Sequence, residues 1–375
     1  MFSITEMERR RKAIREILNT ENLKALLLIG DAGHGWDFNG DLRYFTNNRV
    51  ISGREAVVVL PDSEPILFSP TRGKVSELKA RSFLKDCRPS ANPIADVTEF
   101  LKEKGISPGR IGVNFEMLPV TWHRRLKDAL PKIDWVETHD SILQIRLQRS
   151  REEVDILREA AALADGSFEA GLKAIRPGVS EFEVVAEMEQ FSRARGAEEH
   201  FTQIGSGKFS LSKGTNIIFY YPTQRRIESG DTLLMEITPR FSGYWTQLVR
   251  AVNVGKPNAD LEKLQKVSRE VLNAGLEQFR PGKRMKDVVL AMEAYAKEQG
   301  YPPEGPYGHM CGVDIIEGRV SSQDEMELIP GATVILHPMV FTPDGRNWTF
   351  CGETYLVTQD GHERLNHAEP GVITI

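Results

Sequence analysis

Apolar residues recur at helical spacing over residues 7–18, where Met7, Ile14, Ile17 and Leu18 are separated by charges. This spacing predicts an amphipathic helix. Short continuous apolar runs at 24–29 and 56–60 predict buried strands, and Pro61-Asp62 marks a turn after the second. A helix over 97–104 and a strand over 111–113 continue the alternation. The pattern predicts an α/β domain built on a mostly buried sheet. Residues 142–150 then lead into a long helix over 152–174, which places a domain boundary near residue 147.

Beyond that boundary the chain repeats itself. Ile175-Arg176-Pro177-Gly178 and Phe279-Arg280-Pro281-Gly282 lie 104 positions apart, and Val-Val and Met-Glu follow both in register. Ala170-Gly171-Leu172 matches Ala274-Gly275-Leu276 at the same offset. Each copy reads as a long helix, a Pro-Gly stop and a second helix. A strand follows in each copy. Gly230 stands six residues before Glu236, and Gly331 six residues before His337. Such a duplication predicts two halves, about 148–255 and 256–375, related by a pseudo-two-fold axis. Glu236 and His337 then hold equivalent positions and can face one another across that axis.

Composition narrows the classes. The chain has 375 residues, 27% of them charged, with a net charge of −5. No apolar run approaches the length of a membrane span. The basic cluster Arg9, Arg10, Arg11 and Lys12 is followed by no apolar stretch, so no secretory signal is expected there, and the cluster reads as a solvated helix face. Cys87, Cys311 and Cys351 offer neither a disulfide framework nor a Cys-x-x-Cys site, which fits a cytoplasmic protein. The acidic balance argues against a nucleic-acid partner. The segment Gly30 to Gly35 is Gly-rich after a strand but lacks dinucleotide-binding spacing, and is expected to be a plain loop.

The tract from Ile145 to Ala161 resembles the entry helix of the pita-bread fold shared by creatinase, prolidase, aminopeptidase P and methionine aminopeptidase. The Arg-Pro-Gly repeats, Gly230 to Glu236, Gly243-Tyr244 and Gly308-His309 fall where that family puts them. The resemblance spans the whole chain. It implies a creatinase-like α/β N-terminal domain, residues 1–147, followed by an α+β pita-bread domain, residues 148–375. It also implies a homodimer, because creatinase-like enzymes complete each pocket with the partner's N-terminal domain.

Peptidases of this family hold two metal ions with two Asp, one His and two Glu. Hard cations need such oxygen ligands, and the metal pair makes a bridging hydroxide nucleophilic. Carried over, these positions are Glu236, Gln247, His309, His337 and a last one that falls on Gly352 by counting back from Thr358 or on Glu353 by counting back from Gly361. The family's proton-transfer histidines are also changed. The stretch Ile217 to Pro222, with Tyr220 and Tyr221, contains no His, and Ile316 stands seven residues after His309. A proline-specific peptidase is therefore not the expectation.

Several readings of these residues stand side by side. Glu236, His309 and His337 form either a metal-free acid–base cluster or a two-His-one-carboxylate site for one divalent ion such as iron or zinc. The resemblance to creatinase, a metal-free member, and the neutral Gln247 favour no cofactor. Arg54 resembles the creatinase Arg that binds a substrate carboxylate in the partner's pocket; a structural Arg is equally in keeping with the sequence. Gln247, Glu353 and Tyr220 complete the expected substrate-binding set. Trp36, Trp245 and Trp348 are either pocket lining or core. Cys311 is expected to be a packing residue. The function expected is a creatinase-like, non-peptidase hydrolase of a C–N bond in a small carboxylate-bearing molecule. The alternatives are a mononuclear metal lyase, oxygenase or hydrolase, and a non-catalytic ligand- or peptide-binding protein.

Overall fold

A computed structural model describes residues 2–32, 40–70, 75–210, 213–215, 217–302 and 304–375, with Arg81 described by its backbone alone. Trp36 and the part of the Gly30 to Gly35 loop from residue 33 onward lie outside the described residues. The chain divides into two compact units, Met1–Leu147 and Gln148–Ile375.

The first unit is a six-stranded sheet flanked by helices. Its elements are α1 (Ile4–Thr20), β1 (Ala25–Asp31), α2 (Gly40–Thr46), β2 (Arg54–Val59), β3 (Ile66–Ser69), α3 (Val75–Arg81), β4 (Asp86–Pro89), α4 (Pro93–Glu103), β5 (Gly109–Val113), α5 (Val120–Ala129), β6 (Ile133–Glu137) and α6 (His139–Leu147). The strands lie in the order β4-β3-β2-β1-β5-β6. Residues of β1 divide between two cores. Leu27 and Ile29 pack on the α4 side with Val97 and Phe100, and Leu26 and Leu28 on the α1 side with Ile14 and Leu18. A strand buried on both faces reads as a continuous apolar run, which is how β1 appears in the sequence.

The first helix begins earlier than its apolar spacing predicts, because the Ser3 side chain accepts from the Glu6 amide and caps it. The basic cluster on this helix is not uniformly solvated. Arg10 is buried, stacked over the Phe2 and Tyr44 rings and bonded to Glu6 at 2.6 Å, which corrects the expectation for that residue. A planar, weakly hydrated guanidinium tolerates this setting because aromatic faces and one carboxylate satisfy it together.

The second unit comprises α7 (Arg151–Ala174), α8 (Glu181–Arg193), β7 (Glu199–Gly207), β8 (Thr232–Phe241), β9 (Tyr244–Trp245), β10 (Leu248–Asn253), α9 (Ala259–Leu276), α10 (Met285–Glu298), β11 (Gly308–Met310), β12 (Gly318–Arg319), β13 (Thr333–Leu336), β14 (Met339–Phe341), β15 (Trp348–Phe350), β16 (Gly352–Val357), β17 (His362–Arg364) and β18 (Ile373–Thr374). Its main sheet runs β12-β11-β13-β16-β10-β8-β7, with β14 and β15 pairing apart. The sequence repeat is visible as geometry. Pairs β8-β10 and β13-β16 mirror each other about the centre, where Leu248 faces Glu353. Each half packs two helices, and the repeated glycines explain how closely. A Cβ on Gly171 would lie 2.1 Å from Met188, and one on Gly275 would lie 2.3 Å from Met292. No described helix is long and apolar enough to cross a membrane.

The sheet has two distinct faces. Leu233, Met235, Ile237, Leu248 and Val252 turn toward Ala164 and Phe168 of α7 and Val184, Val185 and Met188 of α8. The alternate residues Leu234, Val249 and Ala251 turn the other way, toward Phe350, Phe219 and Trp348. Strand alternation fixes this division, and it decides which residues reach the site.

Candidate active site

The site lies on the sheet face opposite α7 and α8. Glu236 on β8 faces Val249 on β10, and Val249 faces Gly352 on β16. A Cβ on Gly352 would meet the Cβ of His337 at 2.4 Å, so His337 continues the same row. Glu236 and His337 thus share one face, three strand spacings apart, or about 14 Å between backbones. Val249 and Gly352 stand between the two side chains on that face.

At one end, the Gln247 amide donates to Glu236 at 2.9 Å and to Thr238 at 3.1 Å. Burial pushes the Glu236 carboxyl up to about 7, with the Gln247 hydrogen bond pulling weakly the other way. The carboxyl is therefore divided between its two forms near neutral pH. The amide oxygen of Gln247 is buried with no partner among the described residues.

At the other end stand two imidazoles. His309 on β11 faces Ile335 on β13, two residues before His337, and the two rings meet edge to face at 5.4 Å. Burial lowers His309 to about 4, and the carbonyls of Met310 and Ile315 offset it in part. Burial lowers His337 to about 3, and His309 pushes the same way. Both are neutral at pH 7. Among the described residues, neither ring nitrogen of the buried His337 has a hydrogen-bond partner. Such orphaned atoms are costly in a folded protein and mark a place where a ligand or water completes the bonding.

An aromatic wall borders His337. Phe350 stands at 6.1 Å from its ring, and Phe219 and Trp348 pack on Phe350 at 5.2 and 5.5 Å. The spacing of β8 by twos could have found Thr238, and that of residues 217–221 could have found Phe219. Arg319 was also missed by sequence reasoning. It is exposed on β12, directly opposite His309 on β11, and its charge helps lower the His309 pKa. No acidic partner holds Arg319 among the described residues. A hairpin joining His309 to an Arg ten residues later was its only sequence signal.

Two expectations, for Glu353 and Tyr220, need correction. Glu353 does not enter this pocket. It lies on the opposite face, fully buried between Arg250 at 2.9 Å and Arg269 at 3.0 Å, with the Tyr355 hydroxyl donating to it. Burial would raise its pKa, but the Arg250 and Arg269 charges outweigh that and hold the carboxyl below its ordinary value. Gly352 takes the pocket-facing position, because Glu353 pairs with Leu248 and shares its face. Tyr220 is 61% exposed with its ring against Tyr221, and it is the adjacent Phe219 that turns inward. Trp245 is wholly buried against Phe201 and under Arg240, whereas Trp348 belongs to the aromatic wall. In the first unit, Arg54 pairs with Asp31 at 2.5 Å across β1 and β2. Cys311 is buried, and burial pushes its thiol up to about 12, far from a reactive thiolate.

Residues 155–359 match metallopeptidase family M24, and residues 10–148 match the creatinase/prolidase N-terminal domain. The chain belongs to metallopeptidase family M24. Among curated relatives, the creatinase of Bacillus sp. (strain B-0618) is 27% identical over 365 residues, covering 92% of this chain and 85% of its own. An uncharacterized peptidase of Staphylococcus aureus (strain bovine RF122 / ET3-1) is 26% identical, covering 84% and 88%. The prolidase from Pyrococcus horikoshii OT3 superimposes with a TM-score of 0.83 at 23% identity, covering 96% of this chain and 99% of that one. The prolidase from Thermococcus sibiricus gives 0.86 at 18% identity over the full length of both. These likenesses establish the fold as a creatinase-type N-terminal domain followed by a pita-bread domain of the M24 family. Among the described residues of this M24 chain, no three His, Cys, Asp or Glu side chains gather closely enough to hold a metal ion, Glu236, His309 and His337 included.

Proposed function

We propose that this M24 protein is a creatinase-like hydrolase that cleaves a C–N bond in a small carboxylate-bearing molecule by acid–base chemistry. One observation carries the reading. A carboxyl group with a pKa near neutral and a pair of neutral imidazoles stand on one face of the sheet, and among the described residues the Gln247 amide oxygen beside the carboxyl and both His337 ring nitrogens are buried without a partner.

The family name implies metal ions, and the donors here do not fit a metal pair. One carboxylate, one carboxamide and two imidazoles face the pocket, and Gly352 stands where the resemblance puts the last carboxylate. Hard divalent cations need several anionic oxygens. Acid–base catalysis needs only what is present. A neutral His accepts the proton of an attacking water, water oxygen bonds to the substrate carbon, and protonated Glu236 donates to the departing nitrogen. A nearby substrate carboxylate raises the imidazole pKa and strengthens the base. Arg319, beside His309 and without an acidic partner, suits that carboxylate.

The test is turnover of a panel of N-acyl, ureido and guanidino carboxylates, followed by proton NMR after dialysis against a chelator. Turnover that survives chelation and is lost in His309→Ala and His337→Ala is expected. Intact turnover in both variants overturns the acid–base reading. Activity lost on chelation and restored by one metal supports the mononuclear alternative instead. The reading includes a homodimer in which Arg54 serves the second copy's pocket; sedimentation showing only monomer at micromolar concentration removes that part.

A further inference from the structure

His309 and Arg319 are presented by one hairpin, β11-β12, and the loop between them is wrapped around a buried ion pair. Arg149, just before the α7 capping residue Ser150, and Glu317 are both fully buried and bonded to each other. Every oxygen of the Glu317 carboxylate is used. One accepts from Arg149, and the other accepts from the amides of Val313 at 3.0 Å and Asp314 at 3.5 Å. Arg149 also donates to the Cys311 carbonyl at 3.0 Å. The loop backbone has been shaped to admit the guanidinium, since a Cβ on Gly312 would lie 2.0 Å from Arg149 Nη2. Loop and ion pair interlock.

We propose that Arg149 and Glu317 are positioning residues: their ion pair holds the 311–317 loop and so sets the His309 ring and the Arg319 guanidinium against the pocket. The inference rests on the reading of that pocket as the reaction site. The contacts run from the pair through the loop backbone to the ring. The loop carries the Ile315 carbonyl, which lies against His309, and the Ile315 side chain packs with Phe201 and Trp245. The Trp245 amide donates to the Gly312 carbonyl at 2.8 Å and ties the loop to β9. His309 Nδ1 sits 3.3 Å from the Met310 carbonyl, which favours the tautomer with hydrogen on Nδ1.

A buried ion pair is poor value as a stabiliser, because desolvation offsets most of its attraction. What it supplies here is geometry. Nη2 of Arg149 donates to the Glu317 carboxylate and to the Cys311 carbonyl, the carboxylate accepts from two loop amides, and no apolar pair of the same volume could hold these three loop groups in place. A Lys would keep the charge but not the planar guanidinium that the bare backbone of Gly312 admits.

The experiment is nitrogen NMR of the protein labelled at histidine, at pH 7, with the His309 signals assigned by their loss in His309→Gln. The wild type is expected to show one neutral His309 tautomer. Arg149→Met is expected to shift the ring nitrogen signals to tautomer-averaged positions, with Arg149→Lys falling between. A merely structural role would lower the melting temperature and leave the His309 signals of the folded protein unmoved, and that result overturns the proposal. Should Arg149→Met fail to fold, Glu317→Gln, which keeps the shape of the side chain, decides by the same signals. The readout needs no substrate. Shifted His309 signals in a protein whose His309→Ala and His337→Ala variants both still turn over would leave the positioning role standing and overturn the proposed function alone.

Discussion

Gly352 and His337 exclude anything larger than hydrogen between them: a Cβ at 352 would lie 2.4 Å from the His337 Cβ and 2.2 Å from the Leu336 carbonyl. The glycine is thus what lets the imidazole stand at the end of the pocket row. Gly352→Ala should destabilise the protein by about 1–3 kcal/mol, the usual cost of forcing extra volume into a packed site. Urea unfolding monitored by circular dichroism measures it. A midpoint equal to that of the wild type would show that the strand can shift at no cost. The same crowding means that Gly352→Glu cannot simply restore a carboxylate ligand.

Glu353, one residue on, answers to a different environment. It balances Arg250 and Arg269 on the helix-packed face, and Arg250 in turn donates to the carbonyls of Glu369 and Ala368 near the C-terminus. Removing one partner of a buried ion pair costs roughly 3–5 kcal/mol, because the remaining charge is stranded. Glu353→Gln should therefore unfold at markedly lower denaturant. The ring nitrogen signals of His309 and His337 in the still-folded protein should stay where they are. Moved signals would mean that the charge cluster reaches through the sheet into the pocket.

These two neighbours show where the sequence stops informing. The repeat, the helix pairs and the two strands bearing Glu236 and His337 were legible because duplication and alternation leave a period in the chain. The choice between Gly352 and Glu353 was not, because the counts back from Thr358 and from Gly361 differed by one residue, and one residue reverses the face of a strand. Tyr220 and Phe219 differ in the same way. Arg319 was hidden for another reason. Its place beside His309 depends on a two-residue strand at the sheet edge, too short to leave any pattern. Arg10 had the opposite problem, because a charged residue gives no hint that two aromatic rings will close over it.

Arg319 should govern affinity more than chemistry. A charge-assisted hydrogen bond from a guanidinium to a carboxylate contributes about 1.5–3 kcal/mol, so Arg319→Ala should raise KM by roughly 10- to 100-fold with a smaller change in kcat. Arg319→Lys should recover part of the loss, since it keeps the charge but not the bidentate fork. Steady-state kinetics on a carboxylate substrate and on its neutral amide analogue makes the comparison. Equal KM effects on the two analogues would remove Arg319 from carboxylate recognition.

Glu236 should imprint its raised pKa on stability. In the unfolded chain this carboxyl titrates near its ordinary value of 4.5, and in the folded protein near 7. Between those values the folded state binds the proton and the unfolded state does not. Stability from this group is therefore greatest below pH 4.5 and is lost as pH rises through 7. Glu236→Gln keeps the shape and the acceptor oxygen for Gln247 but has no proton to lose. It should match the wild type near pH 4.5 and exceed it at pH 8 by up to about 3 kcal/mol, since each pH unit separating the folded and unfolded titrations is worth about 1.36 kcal/mol. The two histidines act in the reverse direction. Their folded pKa values of about 4 and about 3 lie below the unfolded 6.5, so their contribution is lost as pH falls below 6.5. That loss is common to both proteins and cancels in their difference. Denaturant titrations of the pair from pH 5 to pH 8 therefore isolate Glu236, and a difference that stays flat across this range would show that the carboxyl is ionised throughout and is no general acid.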